Sequence, residues 1–393
     1  MVAGHLTEKK GLYYVVLNYK DVYDNRKSKW LPTGISVRGN NKRAADKLLQ
    51  EARVNFTLPQ TIEDIARKSE KILFSDFMCS WLDMERPNLE ATTYSAYYGN
   101  IHTNIVPYFK KRNIMLQDTK PGDIQGFYIF LSKERGVGAN TIIRHHANIR
   151  KALQYALRID LINQNPADKV QRPKVHKFIG GYYDIEELNK LFEVVKGKQI
   201  EFAVIMAAFY GLRRSEIIGL RWSAIDFANK AISIGHTVTE AYLDGKCTII
   251  AKDRPKTTAS FRSLPLIPDV ENMLLRIKAE QEEFNILCGK SYNKIYEEYI
   301  YLDKLGERVK PGFVSENFKR MLSNNNLRHI RFHDLRHSCA SLLLANGVSM
   351  KGIQEWLGHG NFLTTANTYA HLDFKSKLSS ANAIMNSGLK LNQ

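Results

Sequence analysis

The hydrophobic period of this chain changes twice. Leu12-Tyr-Tyr-Val-Val-Leu-Asn-Tyr19 is rich in β-branched and aromatic residues and predicts a strand. Asp21 to Lys27 reads as a polar turn, and Lys29-Trp-Leu and Gly34-Ile-Ser-Val-Arg38 as two more short strands. From Asn41, a candidate N-cap, Ala44, Leu48, Leu49 and Ala52 recur at helical spacing. Residues 56–70, with Pro59 and mixed charge, read as a linker. The period is then helical from about 71 to 165, with apolar stripes Phe74/Phe77/Trp81/Leu82, Ile124/Phe127/Tyr128/Leu131 and Ile149/Leu153/Ala156. Another helix opens at Ala91-Thr-Thr-Tyr94 and runs past Ile101 and Ile105 to Pro107, and Asn165-Pro166 closes this region. Beyond a basic stretch from Asp168 to Gly181, helices at Ile185–Val195 and Ile200–Tyr210 precede three strands at Ala231–Ile234, Cys247–Ile250 and Arg262–Leu266. Helical spacing resumes near Val270.

The pattern predicts a multidomain α+β chain. Its parts are a three-stranded β-sheet plus helix (1–58), a helical domain (70–167), a linker (168–181), and a mostly α domain with a small antiparallel β-sheet (182–393). A length of 393 residues suits two or three domains at roughly 150 residues each.

Composition narrows the function. A hydrophobic content of 44% allows ordinary cores, but a net charge of +17 calls for a polyanionic partner. No apolar run reaches the roughly 18 residues that span a bilayer, and the amino terminus lacks a signal peptide's apolar stretch. Cys79, Cys247, Cys288 and Cys339 are scattered with no CxxC pair, which fits reduced thiols in a cytoplasmic compartment. Nucleic acid is therefore expected rather than membrane. In the first module Lys27, Lys29 and Arg38 suit phosphate contacts beside a sheet lying in the major groove; the competing reading is a solubilising cap. Lys110, Lys111, Arg144, His145, His146 and Lys151 give the helical domain a polar face with a basic bias, and Arg172 and Lys174 give the linker charge to follow a phosphate backbone.

The candidate chemistry lies in the last domain. His333 and Arg336 stand at i, i+3, so one helix face carries both toward one phosphate, or else they decorate a solvated helix start. His337 makes an HxxxH with His333, but no third ligand motif accompanies it, so no metal is expected. Arg213 and Glu216 repeat the i, i+3 spacing at another helix start; Arg213's fork matches phosphate oxygens, while Glu216 either holds a neighbouring cation or imidazole or pairs with Arg213. Lys256 sits in a turn between two strands, where neighbouring cations could lower its pKa enough to protonate a leaving oxygen; otherwise it is simply exposed. His359 follows Gly358 at a helix end, and Tyr369 lies ten residues later. Arginines and histidines converging on a phenol suggest nucleophilic chemistry on a phosphate ester.

In that order, Arg213, Lys256, His333-x-x-Arg336, His359 and Tyr369 resemble the tyrosine recombinase (phage integrase) family. The surrounding text agrees: Gly211-Leu-Arg-Arg-Ser-Glu-Ile-Ile-Gly-Leu-Arg-Trp222, Pro255-Lys-Thr-Thr-Ala-Ser-Phe-Arg-Ser-Leu-Pro-Leu266, Phe332-His-Asp-Leu-Arg-His-Ser338, Trp356-Leu-Gly-His-Gly360 and Thr368-Tyr-Ala-His-Leu372. The helical domain is similar to the family's core-DNA-binding domain, and the first module to the arm-binding domain of integrases from lambda-like phages and conjugative transposons. The ten-residue step from His359 to Tyr369 is one longer than in many relatives.

The resemblance implies that Tyr369 attacks a DNA phosphodiester to give a 3′-phosphotyrosine and a free 5′-hydroxyl. It implies that Arg213, Arg336 and His359 stabilise the non-bridging oxygens, that Lys256 protonates the departing oxygen, and that His333 assists, with Glu216 in support. It further implies no cofactor, four protomers on two duplexes exchanging strands through a four-way junction, and accessory partners such as an excisionase and a host DNA-bending protein. A closing helix over Lys375–Asn386, with Leu378, Ala381, Ile384 and Met385 on one side, is expected to dock on a neighbouring protomer or on its own domain. Rival readings are a type IB topoisomerase-like relaxer and a DNA-binding regulator without activity.

Overall fold

The computed structural model describes residues 2–9, 11–20, 26–37, 39, 41–54, 56, 71–175, 180–253 and 261–362. Lys256, Tyr369, Arg38 and the expected helix at 375–386 lie outside the described residues. The chain divides into two compact units, Met1–Val175 and His176–Gln393.

The first unit begins with an antiparallel sheet in the order β1 (Ala3–Lys9), β2 (Leu12–Lys20), β3 (Arg26–Ser36), followed by helix α1 (Lys42–Val54). Strand β1 was not anticipated: His5, Thr7 and Glu8 dilute its apolar content, and its whole length is held by pairing with Leu12–Asn18 of β2. The two short strands expected at 29–31 and 34–38 are instead one strand, β3. Pro32 and Gly34 (φ +71°) suggest a break, but the chain absorbs them as a register shift opposite Leu12 and Tyr14. Helix α1 packs through Ala45 and Leu49 against Val15 and Leu17. Of the predicted stripe, Leu49 is buried and Ala52 packs beside it, while Ala44 and Leu48 are exposed and Ala45 takes the inner place one turn earlier.

The helical region comprises α2 (Phe74–Glu85), α3 (Ala91–Asn100), α4 (Val106–Lys111), α5 (Pro121–Lys133) and α6 (Ala139–Arg158). The predicted stripes are its core: Phe74, Trp81, Leu82, Ile124, Phe127, Leu131, Ile149, Leu153 and Ala156 are all fully buried. Pro107 does not end the helix that starts at Ala91. A π-helical turn at Ile101–Ile105 restarts the ladder, which leaves Pro107 in the first turn of α4, where a missing N–H is tolerated.

The second unit packs α7 (Ile185–Val195), α8 (Glu201–Tyr210), α10 (Pro268–Cys288) and α11 (Pro311–Asn324) around one apolar core that includes Leu191, Val204, Met206, Leu274, Val314 and Phe318. Short α9 (Arg214–Ile218), α12 (Asp334–Ala345) and α13 (Met350–Leu357) carry the candidate residues. In place of a single small sheet there are two. One is three-stranded, β4 (Ile225–Asp226), β5 (Ala231–Ile234) and β8 (Arg262–Pro265), and the other pairs β6 (Thr237–Leu243) with β7 (Lys246–Lys252). The strands on either side of Lys256, β7 and β8, therefore belong to different sheets. Among the described residues no helix is long and apolar enough to cross a membrane.

Candidate active site

Helix α8 is almost wholly apolar and ends at Gly211, whose φ of +61° turns the chain sharply. A Cβ there would collide with Leu357, and the left-handed backbone disfavours any other residue, so the turn requires glycine. Two residues on, Arg213 caps α9, and its amide donates to Glu216 Oε2 at 3.0 Å. The Arg213 guanidinium donates to Glu216 Oε1 at 2.6 Å and keeps about a third of its side chain exposed (34%), while Glu216 is 2% exposed.

Helix α12 supplies the next residues. His333 stands at its N-cap and Asp334, Arg336 and His337 in its first turn. Asp334 is buried and accepts from the Arg331 amide at 2.8 Å and from the Arg331 guanidinium at 2.7 Å, which fixes the start of the helix. Arg336 is 2% exposed and donates to two main-chain carbonyls, Gly211 O at 2.5 Å and Leu357 O at 2.7 Å.

The third piece is the end of α13. Ser349 caps its start, and its end closes as a Schellman motif: Gly358, at φ +69°, donates to Glu355 O at 3.1 Å, and the His359 amide donates to Gln354 O at 3.1 Å. A helix leaves its last four carbonyls without partners, and this motif serves only Gln354 and Glu355. Arginines take the other two and the Gly358 carbonyl that follows them. Arg262 donates to Trp356 O at 2.9 Å, Arg336 to Leu357 O at 2.7 Å, and Arg213 to Gly358 O at 3.1 Å. Three successive carbonyls thus each hold one guanidinium from a different element, and His359 is the next residue. The negative end of the helix dipole favours these cations.

Arg213, His333, Arg336, His359 and Glu216 are brought together in this way. Burial first, then Arg336 and Arg213, pushes the His359 pKa down to about 3. His333 keeps an exposed edge, yet packing around its ring and then the Arg336 charge lower its pKa as well. Both imidazoles are therefore neutral at neutral pH, and the positive charge of the cluster resides on guanidinium groups. Burial works against the Glu216 charge, but Arg262 and then Arg213 hold its carboxyl below the usual range. His333 and His337 meet edge-to-face at 5.6 Å. Among the described residues no three His, Cys, Asp or Glu side chains are grouped to hold a metal.

Beside this cluster opens a furrow of about 580 Å³ lined by Arg213, Arg214, Lys319, His329, Arg331 and His333. A cleft of about 620 Å³ in the helical region, lined by His146, Arg150, Gln154 and Asp168, is larger than this furrow, so volume alone does not mark the site. Arg214, Lys319, His329 and Arg331 were not anticipated, since isolated cations carry no spacing signal. Arg262 was also missed, although its position was readable. In Arg262-Ser-Leu-Pro-Leu266 it shares the inward parity of Leu264 and Leu266, and a cation on a buried face needs a partner.

The other basic candidates are spread over the first unit. Lys27, Lys29, Lys110, Lys111, Arg144, Arg172 and Lys174 are exposed. Lys151 pairs with Glu85 at 2.7 Å and lies over the Trp81 and Tyr97 rings. His145 and His146 do not belong to the polar face where they were expected. They are buried, His145 donating to Thr141 O at 2.8 Å with Asn104 Nδ2 3.1 Å from its other nitrogen, and His146 hydrogen-bonded to Tyr128 Oη at 2.7 Å.

Comparison with known proteins accounts for both units. The phage integrase family model matches residues 183–376, and that of the phage integrase N-terminal SAM-like domain matches 73–132. The chain is 28% identical over 324 residues to the tyrosine recombinase XerC-like protein of Caldanaerobacter subterraneus subsp. tengcongensis, covering 78% of this chain and 81% of that one. It is 29% identical over 316 residues to the ICEBs1 integrase of Bacillus subtilis, covering 79% and 82%. Its fold matches that of the Tn1549 transposon integrase, solved in complex with a circular intermediate DNA, with a TM-score of 0.63 at 20% identity over 78% of this chain and 99% of that one. Together the two family matches and the long alignments to recombinases place this chain in the phage integrase family, as a site-specific tyrosine recombinase.

Proposed function

We propose that this recombinase integrates and excises a mobile genetic element, with Tyr369 as the nucleophile that forms a 3′-phosphotyrosine and releases a 5′-hydroxyl. Arg213, Arg336 and His359 bind the non-bridging oxygens of the scissile phosphate, Lys256 protonates the departing 5′-oxygen, and His333 orients the phosphate or moves a proton. The observation that carries this reading is the row of guanidinium groups along the Trp356, Leu357 and Gly358 carbonyls, which assembles permanent positive charge beside His359. Glu216 offsets one of the three guanidinium charges and the neutral carbonyls offset none, so the row keeps the net positive charge that stabilising a phosphorane-like transition state requires.

The first module, with exposed Lys27 and Lys29 and with Arg38, reads arm sites; Lys110, Lys111, Arg144 and Lys151 of the helical domain, with Arg172 and Lys174 after it, hold core-site phosphates. A relaxer of the type IB class has no use for the first module. Domain limits of 1–58, 70–167 and 182–393 around a 168–181 linker follow this division of labour. The likeness to the ICEBs1 integrase supports this integrase reading. A tetramer on two duplexes, the 375–386 segment docked on a neighbouring protomer, an excisionase, a host DNA-bending protein and a site of action on the bacterial nucleoid complete the proposal. The test uses the duplex attachment site read from the DNA flanking the encoding element. Tyr369→Phe is expected to bind it with unchanged affinity and to give no covalent complex in a denaturing gel, while the unaltered protein gives one with or without EDTA. A covalent complex with Tyr369→Phe, or its loss with EDTA, overturns the assignment.

A further inference from the structure

We propose that Arg262 is a positioning residue for strand cleavage: it holds Glu216 with one edge of its guanidinium and the Trp356 carbonyl with the other, and so sets Arg213 and the His359 segment against the same phosphate. This rests on the reading of Arg213 and His359 as phosphate ligands.

The geometry is specific. Arg262 Nη2 lies 3.1 Å from Glu216 Oε2, and Nη1 lies 3.4 Å from Oε1, while Nε donates to Trp356 O at 2.9 Å. The same carboxylate takes Arg213, its guanidinium at Oε1 and its amide at Oε2. Arg262 and Glu216 are both buried, with side chains 6% and 2% exposed. Burying an ion pair is a poor way to gain stability, since an apolar side chain on the inner face of β8 would pack at lower cost. What the pair does supply is direction. Glu216 can aim Arg213 only if its own carboxylate is fixed and ionised, and Arg262 does both. Its Nε completes the carbonyl row one residue before Leu357 and two before Gly358, so a single planar group joins β8, α9 and the end of α13. Tyr210 reinforces the junction, stacking on Trp356 at 5.9 Å and donating to Pro265 O at 3.0 Å. Lysine, a point donor, can serve Glu216 or Trp356 O but not both.

The test compares Arg262→Met, Arg262→Lys, Glu216→Gln, the double variant Arg262→Met/Glu216→Gln, and Arg213→Ala in the full-length protein. Single-turnover cleavage of a nicked duplex bearing the attachment site is measured with duplex affinity and thermal melting alongside. Arg262→Met is expected to slow cleavage about 100-fold with affinity changed less than about 3-fold, and Arg262→Lys to recover about 10-fold of the loss. With one cation removed, Glu216 protonates at higher pH, so the acid limb of the Arg262→Met rate profile moves upward, and this difference vanishes in the Glu216→Gln background. The double variant is expected to cleave within about 3-fold of the slower single variant. Cleavage by Arg262→Met at the full rate, an unmoved acid limb, or multiplicative losses in the double variant overturn the proposal. If Arg262→Met does not fold, the Arg262→Lys rate and pH profile decide alone. Full activity in Arg213→Ala removes the underlying reading and this one with it, whereas an inactive Arg213→Ala beside an unimpaired Arg262→Met removes this proposal only.

Discussion

The two units differ in what they hide from water. Among the described residues, the buried polar side chains of the first unit are Ser75, His145, His146, Asn148 and Asn165, with no ionised group among them. In the second they are Glu216, Arg262, Asp334, Arg336 and Ser338, four of which are charged. In the helical region the expensive groups are imidazoles held neutral and satisfied by Asn104, Thr141 O and Tyr128. Its ion pairs, such as Arg150–Asp168, lie at the surface. Charge is buried where the site is, and stability does not require it. The first unit is packed for shape. The second sacrifices packing economy to fix guanidinium groups.

That contrast is broken most severely by Arg336→Ala. It strips donors from Gly211 O and Leu357 O together, and cleavage is expected to fall by about 1,000-fold or more, with a stability loss of about 2–5 kcal/mol from the unpaired carbonyls. Phe127→Ala in the helical core is expected to cost about 3–5 kcal/mol by cavity formation, with single-turnover cleavage per folded molecule little changed. Chemical denaturation beside single-turnover cleavage separates the two cases. Equal ratios of lost stability to lost activity would erase the distinction between the units.

A smaller effect is expected on pH. His145, His146, His333 and His359 all have folded pKa values below the ordinary 6.5. Between the depressed and the ordinary values the unfolded chain binds more protons, so stability is complete above about pH 6.5 and is lost as pH falls below it. Only the site histidines should meet the scissile phosphate, whose charge raises their pKa. Proton uptake on DNA binding is therefore expected to grow as the pH is lowered from about 6.5 toward the depressed pKa values, detectable by calorimetry in buffers of different ionisation enthalpy, and His359→Asn should reduce it. Tyr128→Phe, which removes the His146 partner, is expected to cost about 1 kcal/mol of stability, and Lys151→Ala, at a partly exposed pair, under about 1 kcal/mol.

Much of this was legible in the sequence, and the exceptions share a cause. Apolar periodicity located α2, α5, α6, α7 and α8 because their inner faces are uninterrupted. It failed at β1, at the single strand β3 and at Ala44 and Leu48 of α1, where pairing and local register outweigh composition. It also placed His145 and His146 outside the core, since periodicity cannot see a tyrosine or an asparagine arriving from another helix. In the site, short-range spacings fixed Arg213 with Glu216 and His333 with Arg336. The carbonyl row could not be read that way, because its donors come from positions 213, 262 and 336 and its acceptors from 356–358. Arg262 was the exception that strand parity could have found.

The most direct test is to identify the residue that carries DNA. The protein is trapped on a nicked attachment-site duplex, digested with protease and nuclease, and the nucleotide-bearing peptide is sequenced by mass spectrometry. The expected result is a single modified peptide with a nucleotide joined through its 3′-phosphate to Tyr369. Attachment at any other side chain, or through a 5′-phosphate, would contradict the account.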